Sequence, residues 1–242
     1  GFLFNKLVKL YKLYEYDLKT LKKTKRVEDA IISLTSWKKR INTVSYTIYS
    51  LLKKCPGFDI VLTLSEDEFP DKEKELPRDL LDLAKNGFVE ILWVKENTYT
   101  FKKMLPTMKK YPNKAIITAD DGCRYYRNYA QELYNLSIVN PGKIISYNGW
   151  VKFGVTNGGG GSGILFPAGC FKDYKLTQKI IDTKHDDYYY GCLSKLAGLE
   201  WHIINDKTRN SNFESIDSRT NVSNDYYKTE MNLCKIILDE LG

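Results

Sequence analysis

Ala115-Ile116-Ile117-Thr118-Ala119-Asp120-Asp121 is an apolar run that ends on two adjacent carboxylates. A run of this length without polar interruption reads as a strand buried on both faces. Working back from it, the chain alternates. Ala30–Ser36, Asp59–Leu64 and Phe88–Val94 are apolar stretches of strand length. Between them lie three segments with helical character. Asn42–Lys54 places Val44, Ile48, Leu51 and Leu52 on one side, Pro77–Lys85 starts on proline and stops at Asn86-Gly87, and Thr100–Lys110 precedes the acidic strand. Strands alternating with helices predict an α/β fold with a mostly parallel sheet flanked by helices. Such sheets bind ligands at the carboxyl ends of their strands. That rule selects Ser33–Arg40, Ser65–Phe69 and Ala119–Cys123.

Working forward, the pattern is less regular. Arg127–Val139 reads as a helix, and Lys143–Tyr147 and Val151–Val155 read as strands. A glycine-rich run, residues 157–163, precedes the apolar Ile164-Leu165-Phe166-Pro167. Asp186–Leu196 reads as a helix, Leu199–Ile204 as a late strand and Asp225–Leu241 as a final helix. Residues 207–224 are polar and unpatterned, a loop or a mobile lid. At the other end, residues 2–25 carry Leu3, Leu7, Leu10, Tyr14, Leu18 and Leu21 at three- and four-residue steps, with lysines on the other faces. Residues 1–26 therefore read as a basic amphipathic helix, which either packs on protein or touches a membrane surface. Residues 27–242 read as one domain.

With 242 residues, 43% of them hydrophobic, the chain is large enough for a substantial core. The net charge of +7 suits a polyanionic partner: nucleic acid, an anionic membrane or a phosphorylated small molecule. No nucleic-acid-binding motif accompanies it, so nucleic acid is not expected. The 18 tyrosines suit the gripping of sugars and bases, or reflect an AT-rich coding sequence. Five scattered cysteines without a CxxC pair read as reduced thiols, not as a zinc site. No leader with a small-residue cleavage site is evident, and no apolar run is long enough to span a bilayer. A cytoplasmic location is expected.

Five groups of residues carry candidate chemistry. Asp120 and Asp121 sit where a ligand should bind, and carboxylates there repel a phosphate unless Mg²⁺ or Mn²⁺ lies between them. Otherwise they form a solvated acidic turn. Thr35-Ser36-Trp37-Lys38-Lys39-Arg40 follows the first strand and offers hydroxyls and cations for phosphate. It is not a P-loop, and no GxGxxG occurs. Lys102 and Lys103, before the acidic strand, either reach a diphosphate or are surface lysines. In His185-Asp186-Asp187 an aspartate is either a general base or a helix cap, and His185 is a candidate third metal ligand. The glycine run permits close backbone approach to a ligand, or forms a flexible hairpin loop.

In order, "SLTSWKKRI" (33–41), "IVLTLSEDEFP" (60–70), "FKKMLPTMKKYP" (101–112), "IITADDG" (116–122), "GSGILFP" (161–167) and "HDDYYYGCL" (185–193) resemble bacterial GT-A glycosyltransferases of capsule and lipopolysaccharide synthesis. The resemblance runs from about Ile31 to Leu196. It implies a GT-A-like, Rossmann-like mixed sheet and a metal-dependent enzyme. A sugar would pass from a nucleotide-sugar donor, UDP-linked by expectation, to a hydroxyl of a glycan or lipid-linked glycan at the inner membrane face. It implies a DXD-type site for Mn²⁺ or Mg²⁺ and donor diphosphate at Asp120 and Asp121. Nucleotide contacts would come from Thr35, Arg40 and Ser65–Asp67, and phosphate contacts from Arg40 and Lys102 or Lys103. The catalytic base would be Asp187 or Asp186 if the enzyme inverts; a retaining enzyme requires no single base. One departure stands out: Gly122 follows where relatives carry a third aspartate. Framed as Asp120-Asp121-Gly122 the motif lacks its last carboxylate; framed as Ala119-Asp120-Asp121 it is intact, with Asp121 as the metal ligand. The second frame is the expectation, because the diphosphate still needs a cation. A non-catalytic nucleotide-sugar-binding subunit is the alternative.

Overall fold

The computed structural model describes Leu18, Leu21 and residues 24–205, 212–216 and 230–242. The amphipathic helix expected over residues 2–25 falls almost entirely outside these residues. Leu18 and Leu21, which are described, rest against the core.

The first half alternates as the sequence predicts: β1 (Ala30–Thr35), α1 (Val44–Lys54), β2 (Asp59–Ser65), α2 (Arg78–Lys85), β3 (Glu90–Val94), α3 (Leu105–Lys110) and β4 (Ala115–Thr118). The second half adds β5 (Cys123–Tyr125), α4 (Tyr129–Val139), β6 (Ile144–Ser146), β7 (Gly149–Lys152), β8 (Val155–Gly158) and β9 (Ile164–Phe166). It ends with α5 (Gln178–Thr183), α6 (Asp186–Leu196), β10 (Trp201–Ile203), β11 (Phe213–Ser215) and α7 (Glu230–Leu241). Seven strands form one sheet in the order β10-β6-β9-β4-β1-β2-β3. Only β9 runs against its neighbours β4 and β6, so the sheet is mixed and mostly parallel.

The central strands are apolar at successive positions because both faces are covered. Ile32, Leu62 and Ile117 join one core layer with Val44, Ile48, Leu80 and Leu133. Their neighbours Ile31, Val61 and Ile116 join the other with Leu105, Met108, Ile180, Tyr189 and Ile237. Burying each such side chain contributes about 1.5–3 kcal/mol. This double burial fixes β1, β2 and β4 in register, with Ser33 opposite both Val61 and Thr118. Their carboxyl ends therefore open on one edge.

Three segments differ from the sequence expectation. The helix expected over Thr100–Lys110 is a 3₁₀ turn, Tyr99–Lys103, followed by α3. Pro106, in the first turn of α3, has no N–H to continue an upstream helix. The break turns Lys102 and Lys103 inward, and both are buried. The strand expected over Val151–Val155 is instead a hairpin of β7 and β8. Its two-residue turn, Phe153-Gly154, has positive φ at both positions. Within the unpatterned stretch 207–224, residues Phe213–Ser215 form β11, paired antiparallel with β5.

Candidate active site

The turn after β4 separates two adjacent carboxylates. Asp121 is buried. Its Oδ1 accepts from Arg40 Nη1 at 2.8 Å and its Oδ2 from Ser36 Oγ at 2.7 Å. Its carbonyl accepts from Thr47 Oγ1 at 2.8 Å, which ties the turn to α1. Burial pushes the Asp121 carboxyl up, and Arg40 and Ser36 offset part of that push. Gly122 explains how Arg40 fits. A Cβ at position 122 would lie 2.9 Å from Arg40 Nη1 and 3.2 Å from its Cζ. The guanidinium occupies the volume that any side chain at 122 would need.

Asp120 is different. Its carboxylate is 38% exposed, and Oδ1 pairs with Lys103 Nζ at 2.6 Å. Among the described residues Oδ2 has no hydrogen-bonding partner. That oxygen lies against Gly161, where a Cβ would come within 2.6 Å of it. The glycine run thus lets the backbone pass directly over the acidic strand end. Two hydroxyls pin this passage, Thr118 Oγ1 donating to Gly160 O at 2.9 Å and Tyr125 Oη to Gly161 O at 2.8 Å, while Tyr129 Oη holds the strand end by donating to Thr118 O at 3.0 Å.

Lys103 joins the motifs that the sequence keeps apart. Its buried ammonium touches Asp120 and lies 3.3 Å from Asp186 Oδ2, an ion pair whose geometry falls short of a hydrogen bond. Gly160 packs on the same side chain. Burial alone lowers the Lys103 pKa, but Asp120, Asp186 and Asp187 together raise it well above the usual lysine range. Asp186 and Asp187 open α6, whose N-terminal dipole favours negative charge. Asp187 Oδ1 accepts the Gly160 N–H at 3.3 Å. Burial, then the Asp186 charge, raises the Asp187 carboxyl to about 8, with Lys103 opposing. A carboxyl raised in this way suits a general base near neutral pH.

The side of the edge that carries Thr35, Ser65 and Lys102 is closed by hydrogen bonds within the protein. Lys102 spends its three donors on Ser65 Oγ (3.2 Å), Glu68 Oε2 (2.7 Å) and Asn97 Oδ1 (2.5 Å). Burial lowers its pKa and Glu68 offsets the drop. Thr35 Oγ1 donates to Thr63 O at 2.7 Å, stitching β1 to β2. Ser65 Oγ also donates to Glu68 Oε2 at 3.0 Å.

No family model matches this chain, and no curated protein matches it. Solved structures do. The crystal structure of S. aureus TarS superposes with a TM-score of 0.53 at 9% identity, over 79% of this chain and 36% of that one. TarS residues 1–349 in complex with UDP superpose with a TM-score of 0.54 at 9% identity, over 74% of this chain and 58% of that one. The fold is GT-A-like. The protein spans less than two thirds of the length of either chain.

Within this fold the expected residues separate. Arg40 meets Asp121, and Lys103 meets Asp120 and Asp186. Lys102 is drawn away to Ser65 and Glu68, so the lysine beside the acidic turn is Lys103. His185, expected as a metal ligand, stands edge-on to Tyr188 with ring centroids 6.1 Å apart. Among the described residues no group of three or more His, Cys, Asp or Glu is placed to hold a metal ion. Asp121 has both oxygens engaged and Asp120 one. What remains is Asp120 Oδ2. Mg²⁺-type ions are commonly held by one or two carboxylates plus substrate phosphates, so this oxygen fits a cation that also binds a diphosphate. The local charge agrees: Arg40 pairs with Asp121 and Lys103 with Asp120 and Asp186, three carboxylates against two cations, so the corner carries no surplus positive charge for a phosphate. Sequence reasoning missed Thr47, Thr118, Tyr125 and Tyr129. Hydroxyls flanking a buried acidic strand end were the available signal. It also missed Asn212, which donates to Ser162 O at 3.0 Å and draws β11 to the glycine turn.

A cavity of about 530 Å³ opens away from this site, at the amino ends of β1–β3. Its charged groups are paired: Arg26 and Lys114 with Asp59, and Glu90 with Lys110, which lies outside the cavity, at 2.6 Å. It lies on the edge of a parallel sheet opposite to the one that binds ligands.

Proposed function

We propose that the protein transfers a sugar from a nucleotide-sugar, UDP-linked, to a hydroxyl of a glycan acceptor in bacterial surface polysaccharide synthesis. The observation that carries this reading is the convergence of three separated motifs on one buried ammonium. Lys103, the strand-end Asp120 and the helix-start Asp186-Asp187 meet at the ligand-binding edge of a GT-A-like sheet. UDP bound to a protein of the same fold supports the nucleotide assignment.

Asp120 Oδ2 would hold Mn²⁺ or Mg²⁺ together with the donor diphosphate; the cation supplies the charge that neutralises the departing nucleoside diphosphate. Thr35 and Ser65 line the nucleotide end. Lys103 keeps Asp120 and the α6 carboxylates at fixed distance. Asp187 takes the proton of the acceptor hydroxyl as the acceptor oxygen bonds to the anomeric carbon and the sugar–phosphate bond breaks, its electron pair leaving with the nucleoside diphosphate. Asp186 is held against Lys103. Membrane proximity rests on residues 2–25, whose lysines would each contribute about 1 kcal/mol near an anionic surface. No described helix is long and apolar enough to cross a membrane.

A non-catalytic binding subunit draws on one observation, the sealing of Asp121. A donor panel separates the two readings. Release of UDP from a UDP-sugar on adding Mn²⁺, above the release from GDP- and CMP-sugars, is the expected result. Donor binding without release, with any acceptor offered, means a binding subunit; no binding of any nucleotide refutes both.

A further inference from the structure

Asp120 and Asp121 are adjacent in sequence, yet only one of them is available to a ligand. Arg40 is the cause. Its side chain is 11% exposed and that of Asp121 9%, so the 2.8 Å pair is shielded from solvent. Ser36 closes the other Asp121 oxygen, and Thr47 fixes the backbone. The guanidinium sits where a side chain at 122 would project, 2.9 Å from the position of its Cβ. The absent side chain at 122 and the closed carboxylate at 121 are therefore one arrangement. It strips the turn of two of three potential cation ligands and leaves Asp120 Oδ2.

A single monodentate carboxylate, with the Lys103 ammonium 2.6 Å from its other oxygen, is a poor site for a bare divalent ion. Affinity for hard cations follows the number and charge of the oxygen ligands. A diphosphate adds further oxygens and negative charge at the same point. From this geometry we infer that Arg40 is a positioning residue that locks Asp121 away from the donor site, so that the divalent cation binds only as a complex with the nucleoside diphosphate. This rests on the sugar-transfer reading above and deepens it. The protein has no resident metal; the cation enters and leaves with the nucleotide. Arg40 is then not a phosphate contact, and the catalytic edge carries one cation-binding carboxylate.

The test is Mn²⁺ binding to the full chain, followed by electron paramagnetic resonance of the free ion, with and without UDP. For the wild-type chain, saturable binding alone weaker than about 1 mM, the weak end of oxygen-ligand sites, and retention of one Mn²⁺ per chain with UDP, support the inference. Tight Mn²⁺ binding without UDP overturns it, and this arm needs no variant. With UDP, Asp120→Asn should lose retained Mn²⁺ by tenfold or more, and Asp121→Asn by less than threefold if its melting curve remains cooperative. Equal losses overturn the inference. Arg40→Met frees Asp121 and should gain at least tenfold in nucleotide-free Mn²⁺ affinity, a gain that Arg40→Met/Asp121→Asn should abolish. A gain that persists in the double variant is a general effect of lost positive charge and overturns the latch. Should UDP bind under none of these conditions, the function reading fails first and the inference with it. Should UDP bind equally with and without Mn²⁺, the function reading stands and the inference fails.

Discussion

At Asp121 every oxygen has a partner: Arg40, Ser36 and Thr47 account for both carboxylate oxygens and the carbonyl. One residue earlier, Asp120 presents a half-open carboxylate with a partnerless oxygen. Beside it one ammonium faces three carboxylates, and Asp186 Oδ2 and Tyr190 Oη are buried without a hydrogen bond. The closed corner has the composition of a structural joint. The open corner is electrostatically unfinished, and unfinished buried polar groups are costly unless a ligand completes them. Perturbed carboxyls gather where chemistry is done, and Asp187 lies in the open corner. Under the proposed function, the difference gives stability to one corner and reaction to the other.

The largest effect should separate them most sharply. Asp187→Asn preserves shape and removes basicity, and loss of a general base costs about 10²- to 10⁴-fold in rate. UDP affinity should barely move. The pH profile supplies a second readout. The raised Asp187 pKa means that the folded protein holds a proton the unfolded chain would release near pH 4, about the ordinary carboxylate value. Transfer should therefore rise with pH through a limb shifted up from the carboxylate range towards 8, and the Asn variant should lack that limb. Stability has the opposite sign: between those two values the native state binds more protons, so it loses stability as pH rises. If neither Asp187→Asn nor Asp186→Asn slows transfer tenfold, the open corner is not where the proton goes.

Breaking the closed corner should act on folding. Arg40→Met takes the cationic partner from Asp121 and leaves it only the Ser36 hydroxyl, and removing one partner of a buried pair typically costs about 3–5 kcal/mol. In a chain of this size each kcal/mol shifts the melting temperature by about 2–4 °C. Calorimetry should show a drop of about 10 °C. A loss of transfer at unchanged melting temperature would move Arg40 into the reactive corner. Lys102→Met belongs to the same class with a smaller effect. It strands Glu68, which is partly exposed, so about 1–3 kcal/mol is expected. UDP affinity should fall only as far as Ser65 shifts.

How much of this contrast was legible beforehand follows from its physics. The first half of the sheet is local: apolar runs, a proline start and an Asn-Gly stop place β1, α1, β2, α2, β3 and β4 within a residue or two. The carboxyl-end rule then brings the right loops to one edge. The hairpin of β7 and β8 hid because the turn favours Asn-Gly and the chain has Phe153-Gly154. Strand β11 hid because three residues paired to β5 leave no periodicity. Within the site, residue types announced the candidates and pairing did not. Nothing in "FKK" says that Lys102 turns to Glu68 and Lys103 to Asp120; that follows from the break at Pro106. Nothing in "DDG" says that Arg40, 82 residues before Gly122, fills the missing side chain.

The smallest effects make the finest comparison, because one methyl group can be placed in each corner. Neither Gly122 nor Gly161 has a positive φ, so alanine adds no backbone strain at either position. At 122 the new Cβ would stand 2.9 Å from Arg40 Nη1. The guanidinium must yield by a few tenths of an ångström and lengthen its bond to Asp121. Overpacking of this kind costs about 1–3 kcal/mol. Gly122→Ala should lower the melting temperature by a few degrees and leave Mn²⁺–UDP affinity unchanged. At 161 the new Cβ would stand 2.6 Å from Asp120 Oδ2. That carboxylate is partly exposed and held through one oxygen, so it can swing aside at little cost to folding. The oxygen that moves is the one left for the cation. Gly161→Ala should therefore melt within about 2 °C of the wild type, the shift of less than 1 kcal/mol, and bind Mn²⁺–UDP several-fold more weakly. Titration calorimetry of both variants decides the matter. Should the pattern reverse, with the affinity loss at 122 and the stability loss at 161, Asp121 is the working carboxylate and Asp120 the joint.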